Sequence, residues 1–178
     1  MEEKKIAPRI AVQSHKMFDL FCLSRKLDDS NVEEDRNSAF ISIIGTPACL
    51  TEYLDEPYTK HWLSENHENV LNLDFDDISQ DEYEWKGNTF YGMSMQQASD
   101  TVDFVERMIA DGNRDFYIHC RAGISRSAAV GAWLRDFYPD YFFGEYLLRH
   151  GYNHDVYAKL SRAYYLKHGI FKEENNGD

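Results

Sequence analysis

Between Asp115 and Phe137 the chain reads DFYIHCRAGISRSAAVGAWLRDF, and no other segment limits the possible folds as much. DFYIH is a short run rich in strand formers. From Ser125 the residues take a helical pattern, small and apolar on the early turns, which suits close packing under a sheet. Between the two lies a glycine-containing turn with a cysteine at its entrance and an arginine six positions later. Open α/β sheets place their binding crevices at such junctions, where a strand's carboxyl end meets the start of a helix.

The alternation recurs elsewhere. IAPRIAV (6–12), AFISIIGT (39–46) and NVLNLDF (69–75) read as strands. KMFDLFCLSRKL reads as a short helix, and another is expected near Tyr58 to Ser64. A stronger helix starts at Ser94, which can cap it with Gln97 reaching back; Met95, Ala98, Val102, Val105 and Ile109 follow at three- and four-residue steps up to Gly112. Two more helices are expected in YFFGEYLLRH and VYAKLSRAYYLKHG, beyond Pro139. Residues 28–38 and 76–93 read as loops, the second long and aromatic. The expected fold is therefore α/β, with a central, mostly parallel sheet of four or five strands flanked by helices. Residues 1–170 are expected to form a single domain and 171–178 a disordered tail.

The turn itself suggests a chemistry. The interval from Cys120 to Arg126 is long enough to wrap a tetrahedral anion, with the backbone N–H groups of Arg121, Ala122, Gly123, Ile124, Ser125 and Arg126 turned inward and the helix's positive end behind them. Gly123 permits the dihedrals such a turn needs. Arg126 can grip two anion oxygens with a fork that lysine lacks. The same donors stabilise a thiolate, so Cys120 is expected to be a nucleophile of depressed pKa, and Ser127 can donate to its sulfur when that sulfur departs. His119, pointing away from the anion, is expected to orient the loop through hydrogen bonds to backbone carbonyls; a satisfied core histidine is an equal and overlapping reading.

H-C-x-x-G-x-x-R-S, here HCRAGISRSAAV, resembles the signature of the cysteine-dependent protein tyrosine and dual-specificity phosphatases, and is most similar to small microbial or phage phosphatase-like proteins. The likeness extends over residues 39–165 and is loose at LLRHGYNHDVYAKL. It implies a phosphatase-like fold and hydrolysis of phosphate monoesters through a phosphocysteine, without cofactor or metal. The implied partner is a phosphorylated protein or peptide. No segment before residue 39 resembles the family's phosphotyrosine-clamping loop, which favours a shallow pocket open to phosphoserine and phosphothreonine as well as phosphotyrosine. Leu73, Phe75 and Ile124 are expected to line or border it.

In that family an upstream aspartate protonates the leaving group. Matching the apolar strand positions puts it on Asp77, with Asp76 and Asp81 as alternatives; Asp74 is taken to lie still on the strand. The extra length between Asp77 and Cys120 lies in EYEWKGNTFYG, where Tyr83, Trp85, Phe90 and Tyr91 are expected either to wall the substrate or to pack in the core. A phosphate-binding module without turnover, a sulfur-transfer enzyme, and a phosphatase for inositide or RNA 5′-phosphate remain alternatives.

Composition narrows the partners. A formal net charge of -12 opposes nucleic acid and anionic membrane, and no apolar run is long enough for a membrane span. Cys22, Cys49 and Cys120 are widely spaced, with neither disulfide-framework nor zinc-ligand spacing, which suits a reducing cytoplasm.

Overall fold

The computed structural model describes residues 9–47, 60–141 and 151–170. Strand β1 (Arg9–Ser14) runs into helix α1 (His15–Arg25), with Ser14 capping the helix through the N–H of Met17. Strands β2 (Ser38–Ile44) and β3 (Val70–Asp74) follow, then a hairpin of β4 (Glu82–Trp85) and β5 (Asn88–Tyr91). Helix α2 (Met95–Ala110), strand β6 (Asp115–Cys120), helix α3 (Arg126–Phe137) and helix α4 (His154–Lys167) complete the described chain.

The main sheet has four strands in the order β1-β6-β2-β3, all parallel. This is the expected α/β architecture, with helices on both faces. Every residue of β2 is buried, which is why AFISIIGT reads as one continuous apolar run. Ile41, Ile43, Leu73, Phe116 and Ile118 point to one face and pack with Val102, Val105, Trp133, Leu134 and Leu160 of α2, α3 and α4. Phe40, Val70 and Tyr117 point to the other, against Phe18 and Cys22 of α1. Each fully buried large side chain contributes about 1.5–3 kcal/mol.

Helix α2 carries the expected capping box, with Gln97 N–H donating to Ser94 Oγ and Ser94 N–H to Gln97 Oε1. Other expectations need correction. The first strand extends to Ser14, because its polar end pairs in register with β6. Residues 28–38 hold a short 3-10 turn, Val32–Glu34, that buries Val32. Residues 60–64 are not helical. Residues 76–93 are not structureless: Lys86 and Gly87 both adopt positive φ (49° and 79°), the two-residue turn whose twist matches antiparallel strands, and so close β4 onto β5. Tyr58, Cys49, the helix expected in YFFGEYLLRH from residue 142 onward and the tail 171–178 lie outside the described residues.

Candidate functional site

The sheet's two middle strands and its edge strand β1 converge on the loop after β6. Gly123 has φ +74°, and a Cβ there would sit 2.6 Å from both the carbonyl carbon of Gln13 and the N of Ser14. Both the conformation and the close approach of β1 therefore demand glycine. On the same side, His15 N–H donates to the carbonyl of Arg121 at 3.2 Å, tying the loop to the start of α1.

The loop points donors at one sulfur. Ser127 Oγ donates to Cys120 Sγ at 3.0 Å and the Gly123 N–H at 3.3 Å. Burial alone would raise the thiol's pKa, since Cys120 is 2% exposed, but the Ser127 hydroxyl, the Arg126 charge and the N–H groups of Ser127 and Gly123 outweigh it. The thiol therefore lies below its ordinary value.

Arg126 is buried at the first turn of α3. Its Nη1 donates to the carbonyls of Phe75 (2.6 Å) and Ile44 (3.2 Å), which sit at the carboxyl ends of β3 and β2. These bonds anchor one side of the guanidinium, while Nε is buried with no hydrogen-bond partner. A buried guanidinium donor without an acceptor is costly unless an anion completes it.

The three candidate aspartates occupy different environments. Asp76 is buried and takes the N–H and hydroxyl of Thr46 (2.9 and 2.6 Å) and the N–H of Tyr91 (2.9 Å), joining the end of β2 to the hairpin. Asp81 is held by Lys159 at 2.7 Å, which lowers its pKa at the surface. Asp77 is exposed, yet its Oδ1 accepts from Ser125 Oγ of the loop at 2.7 Å and from Asn153 Nδ2 at 2.9 Å. Of the three, Asp77 is the one the structure bonds to a residue of the 120–126 loop.

Other expected residues differ. The ring nitrogens of His119 make no hydrogen bonds; the imidazole is wholly buried, stacked on Phe18 at 4.2 Å and edge-on to His15 at 4.8 Å. Its expected hydrogen bonds to carbonyls are thus replaced by ring packing, because the side chain leaves the strand toward α1. Leu73 and Phe75 are buried in the core, the centre of the Phe75 ring lying 6.0 Å from the Arg126 guanidinium carbon, and Ile124 is 48% exposed. Tyr83, Trp85 and Tyr91 are exposed on the hairpin, and Phe90 is half-buried against Tyr83. Among the described residues no group of three or more His, Cys, Asp or Glu side chains is arranged to hold a metal. None of the described helices is long and apolar enough to cross a membrane.

Sequence reasoning missed two contributors. Thr46 carried no signal of its own. Asn153 did, as a helix-capping residue ahead of the apolar spacing of HDVYAKL, but its bond to Asp77 spans 76 positions and belongs to the tertiary fold.

No protein-family model matches the chain, and no curated protein matches it by sequence. Among solved structures, the crystal structure of Tk-PTP in the active form is similar at 16% identity and a TM-score of 0.35, over 76% of this chain and 73% of that one. At that level the likeness carries no argument about activity, and the functional reading rests on the loop's own geometry.

Proposed function

We propose that this chain is a cysteine-dependent phosphatase that hydrolyses phosphate monoesters on protein tyrosine, and on serine or threonine as well. One observation carries the reading: the donor-stabilised sulfur of Cys120 and the buried, unbonded Nε of Arg126 belong to one glycine-dependent loop. The loop's N–H groups and the guanidinium hold the phosphate. Cys120 Sγ attacks phosphorus, the P–O bond to the substrate breaks, and Asp77 gives its proton to the departing oxygen. Water then attacks the phosphocysteine, Asp77 takes its proton, and the S–P bond breaks to release inorganic phosphate. The Ser127 hydroxyl, already on the sulfur, stabilises the leaving thiolate.

Tyr83 and Trp85 are exposed on one face of a hairpin anchored by Asp76, the residue before Asp77, and offer a wall for the peptide around the phosphorylated side chain. A thiol of lowered pKa stays reduced most readily in a reducing compartment, which favours the cytoplasm.

The test is steady-state hydrolysis of p-nitrophenyl phosphate and of phosphotyrosine and phosphothreonine peptides from pH 5 to 8. Turnover by the wild type and none by Cys120→Ser is expected. A folded wild type that binds phosphate without hydrolysing any of the three would overturn the reading in favour of a phosphate-binding module.

A further inference from the structure

Asn153 joins three parts of the molecule. Its Oδ1 accepts from the N–H groups of Asp155 (3.0 Å) and Val156 (3.1 Å), capping α4. Its Nδ2 donates to Asp77 Oδ1 (2.9 Å) and to the carbonyl of Ile78 (3.0 Å). Its own backbone N–H donates to the carbonyl of Ser125 at 3.3 Å, and Ser125 Oγ in turn donates to the same Asp77 oxygen at 2.7 Å. Both amide hydrogens and both acceptor sites of this 7%-exposed side chain are in use. The amide orientation is chemically determined, because a flip would set the carbonyl against a carboxylate and an NH2 against two N–H donors.

We infer that Asn153 is a positioning residue that holds the Asp77 carboxyl over the phosphate loop for proton transfer, so that Oδ2 is the oxygen that carries the proton. The inference rests on the phosphatase reading above. Asp77 lies three residues past the end of β3, on a segment with no strand pairing of its own. A carboxyl on such a loop samples many orientations, and a proton donor misplaced by about 1 Å loses much of its effect. Ser125 and Asn153 remove that freedom together. Their two donors converge on Oδ1, which fixes the carboxyl plane and leaves Oδ2 as the oxygen outside the pair. Because Asn153 also caps α4 and binds the backbone of Ser125, the acid and the phosphate loop share one support and keep a common geometry.

The capping and positioning roles separate by substitution. Aspartate and serine cap helices about as well as asparagine and keep an acceptor for Asp155 and Val156, but neither can donate as the Nδ2 group does. Asn153→Asp also sets a second carboxylate against Asp77. The experiment compares the wild type, Asn153→Asp and Asn153→Ser on a phosphotyrosine peptide, whose phenol leaves with a pKa of about 10, and on p-nitrophenyl phosphate, whose leaving group needs little protonation. Melting curves monitor the fold.

The expected result is a fall in kcat of about 10- to 100-fold on the peptide and less than about threefold on p-nitrophenyl phosphate, with KM unchanged. Introduced into Asp77→Asn, the same changes should add almost nothing, since residues that act through one group are not additive. Equal losses on both substrates, or a full loss that persists in Asp77→Asn, would reduce Asn153 to a helix cap and overturn the inference. That outcome is distinct from failure of the phosphatase reading, in which the wild type itself turns over neither substrate.

Discussion

His119 and Cys120 are neighbours on β6 whose side chains leave the sheet on opposite faces, and the two faces meet burial in different ways. On the side of α2, α3 and α4 the strands present Ile41, Ile43, Phe116 and Ile118, an apolar wall with the Cys120 sulfur at its rim. On the side of α1 the apolar row Ala11, Tyr117, Phe40 and Val70 gives way, two residues further along, to the row Gln13, His119, Ser42 and Asn72. Ser42 Oγ bonds His61 Nδ1 (2.6 Å), whose Nε2 meets Asp74 (2.7 Å), and Asn72 donates to the carbonyl of Leu63 (2.7 Å). That polar row binds the 61–63 segment to the sheet.

The contrast shows where the sulfur's positive field comes from. Burial, together with the His15, His61 and Arg126 charges, holds His119 well below the usual histidine range, and burial with His61 takes His15 down to about 4. Both imidazoles are therefore neutral at pH 7. Stabilisation of the Cys120 thiolate is left to the loop: the Ser127 hydroxyl, the Arg126 guanidinium and two backbone N–H groups. The α1 face supplies packing, and none of the causes that lower the pKa of the Cys120 thiol comes from it.

Replacing the sulfur should break this division most severely. Cys120→Ser is expected to lose at least about a thousandfold in kcat, as removal of a nucleophile does, while inorganic phosphate still binds by calorimetry. Retained turnover would mean that the reacting group lies elsewhere.

The two described cysteines, one on each face, sharpen the contrast. Burial and then Asp19 push the Cys22 thiol up to about 12, whereas Cys120 lies below its ordinary value. Iodoacetamide at pH 7 should therefore alkylate Cys120 at least about a hundredfold faster than Cys22, with phosphate protecting Cys120. Peptide mass mapping over time reads the ratio, and equal rates would remove the loop's claim on the thiolate.

Arg126→Lys keeps the charge and loses the fork that bonds the strand carbonyls and, in the proposed reaction, the phosphate. It should cost about ten- to a hundredfold in kcat/KM on p-nitrophenyl phosphate. A loss no larger than twofold would show that a point charge suffices.

The smallest effect is expected on the other face. His119 makes no hydrogen bonds, so His119→Phe should change urea stability at pH 7 by within about 1.5 kcal/mol. The pH dependence has a definite sign. His15 and His119 have folded-state values below their unfolded value near 6.5, so the unfolded chain gains protons first on acidification. Their contribution is fully present above about pH 6.5 and is lost as pH falls toward about 4 and below. His119→Phe should make the decline between pH 6.5 and 4 shallower. An unchanged decline would assign acid sensitivity to other groups.

Local pattern made several parts of this molecule legible. Ser94 and Gln97 announced a helix start because the bonds of a capping box span three residues. The strand, loop and helix from Asp115 to Phe137 were readable because Gly123 and the spacing from Cys120 to Arg126 act within one turn. The hairpin was readable in principle from the alternation of Glu82, Tyr83, Glu84 and Trp85 before Lys86-Gly87. Its aromatics and the polar run around it hid that period.

What the amino-acid sequence determined by itself was the four strands of the main sheet, the helix that starts at Ser94, and the strand, glycine-dependent loop and helix from Asp115 to Phe137. Periodicity, capping and φ preference are short-range steric effects, complete within a few neighbouring residues. Only the tertiary structure decided which aspartate meets the loop, that His119 packs without hydrogen bonding, and that Asn153 supports Asp77. Those outcomes depend on partners 48 to 104 positions apart, Asp77 with Ser125, Asn153 with Asp77, and His119 with Phe18 and His15, whose meeting is set by the tertiary fold.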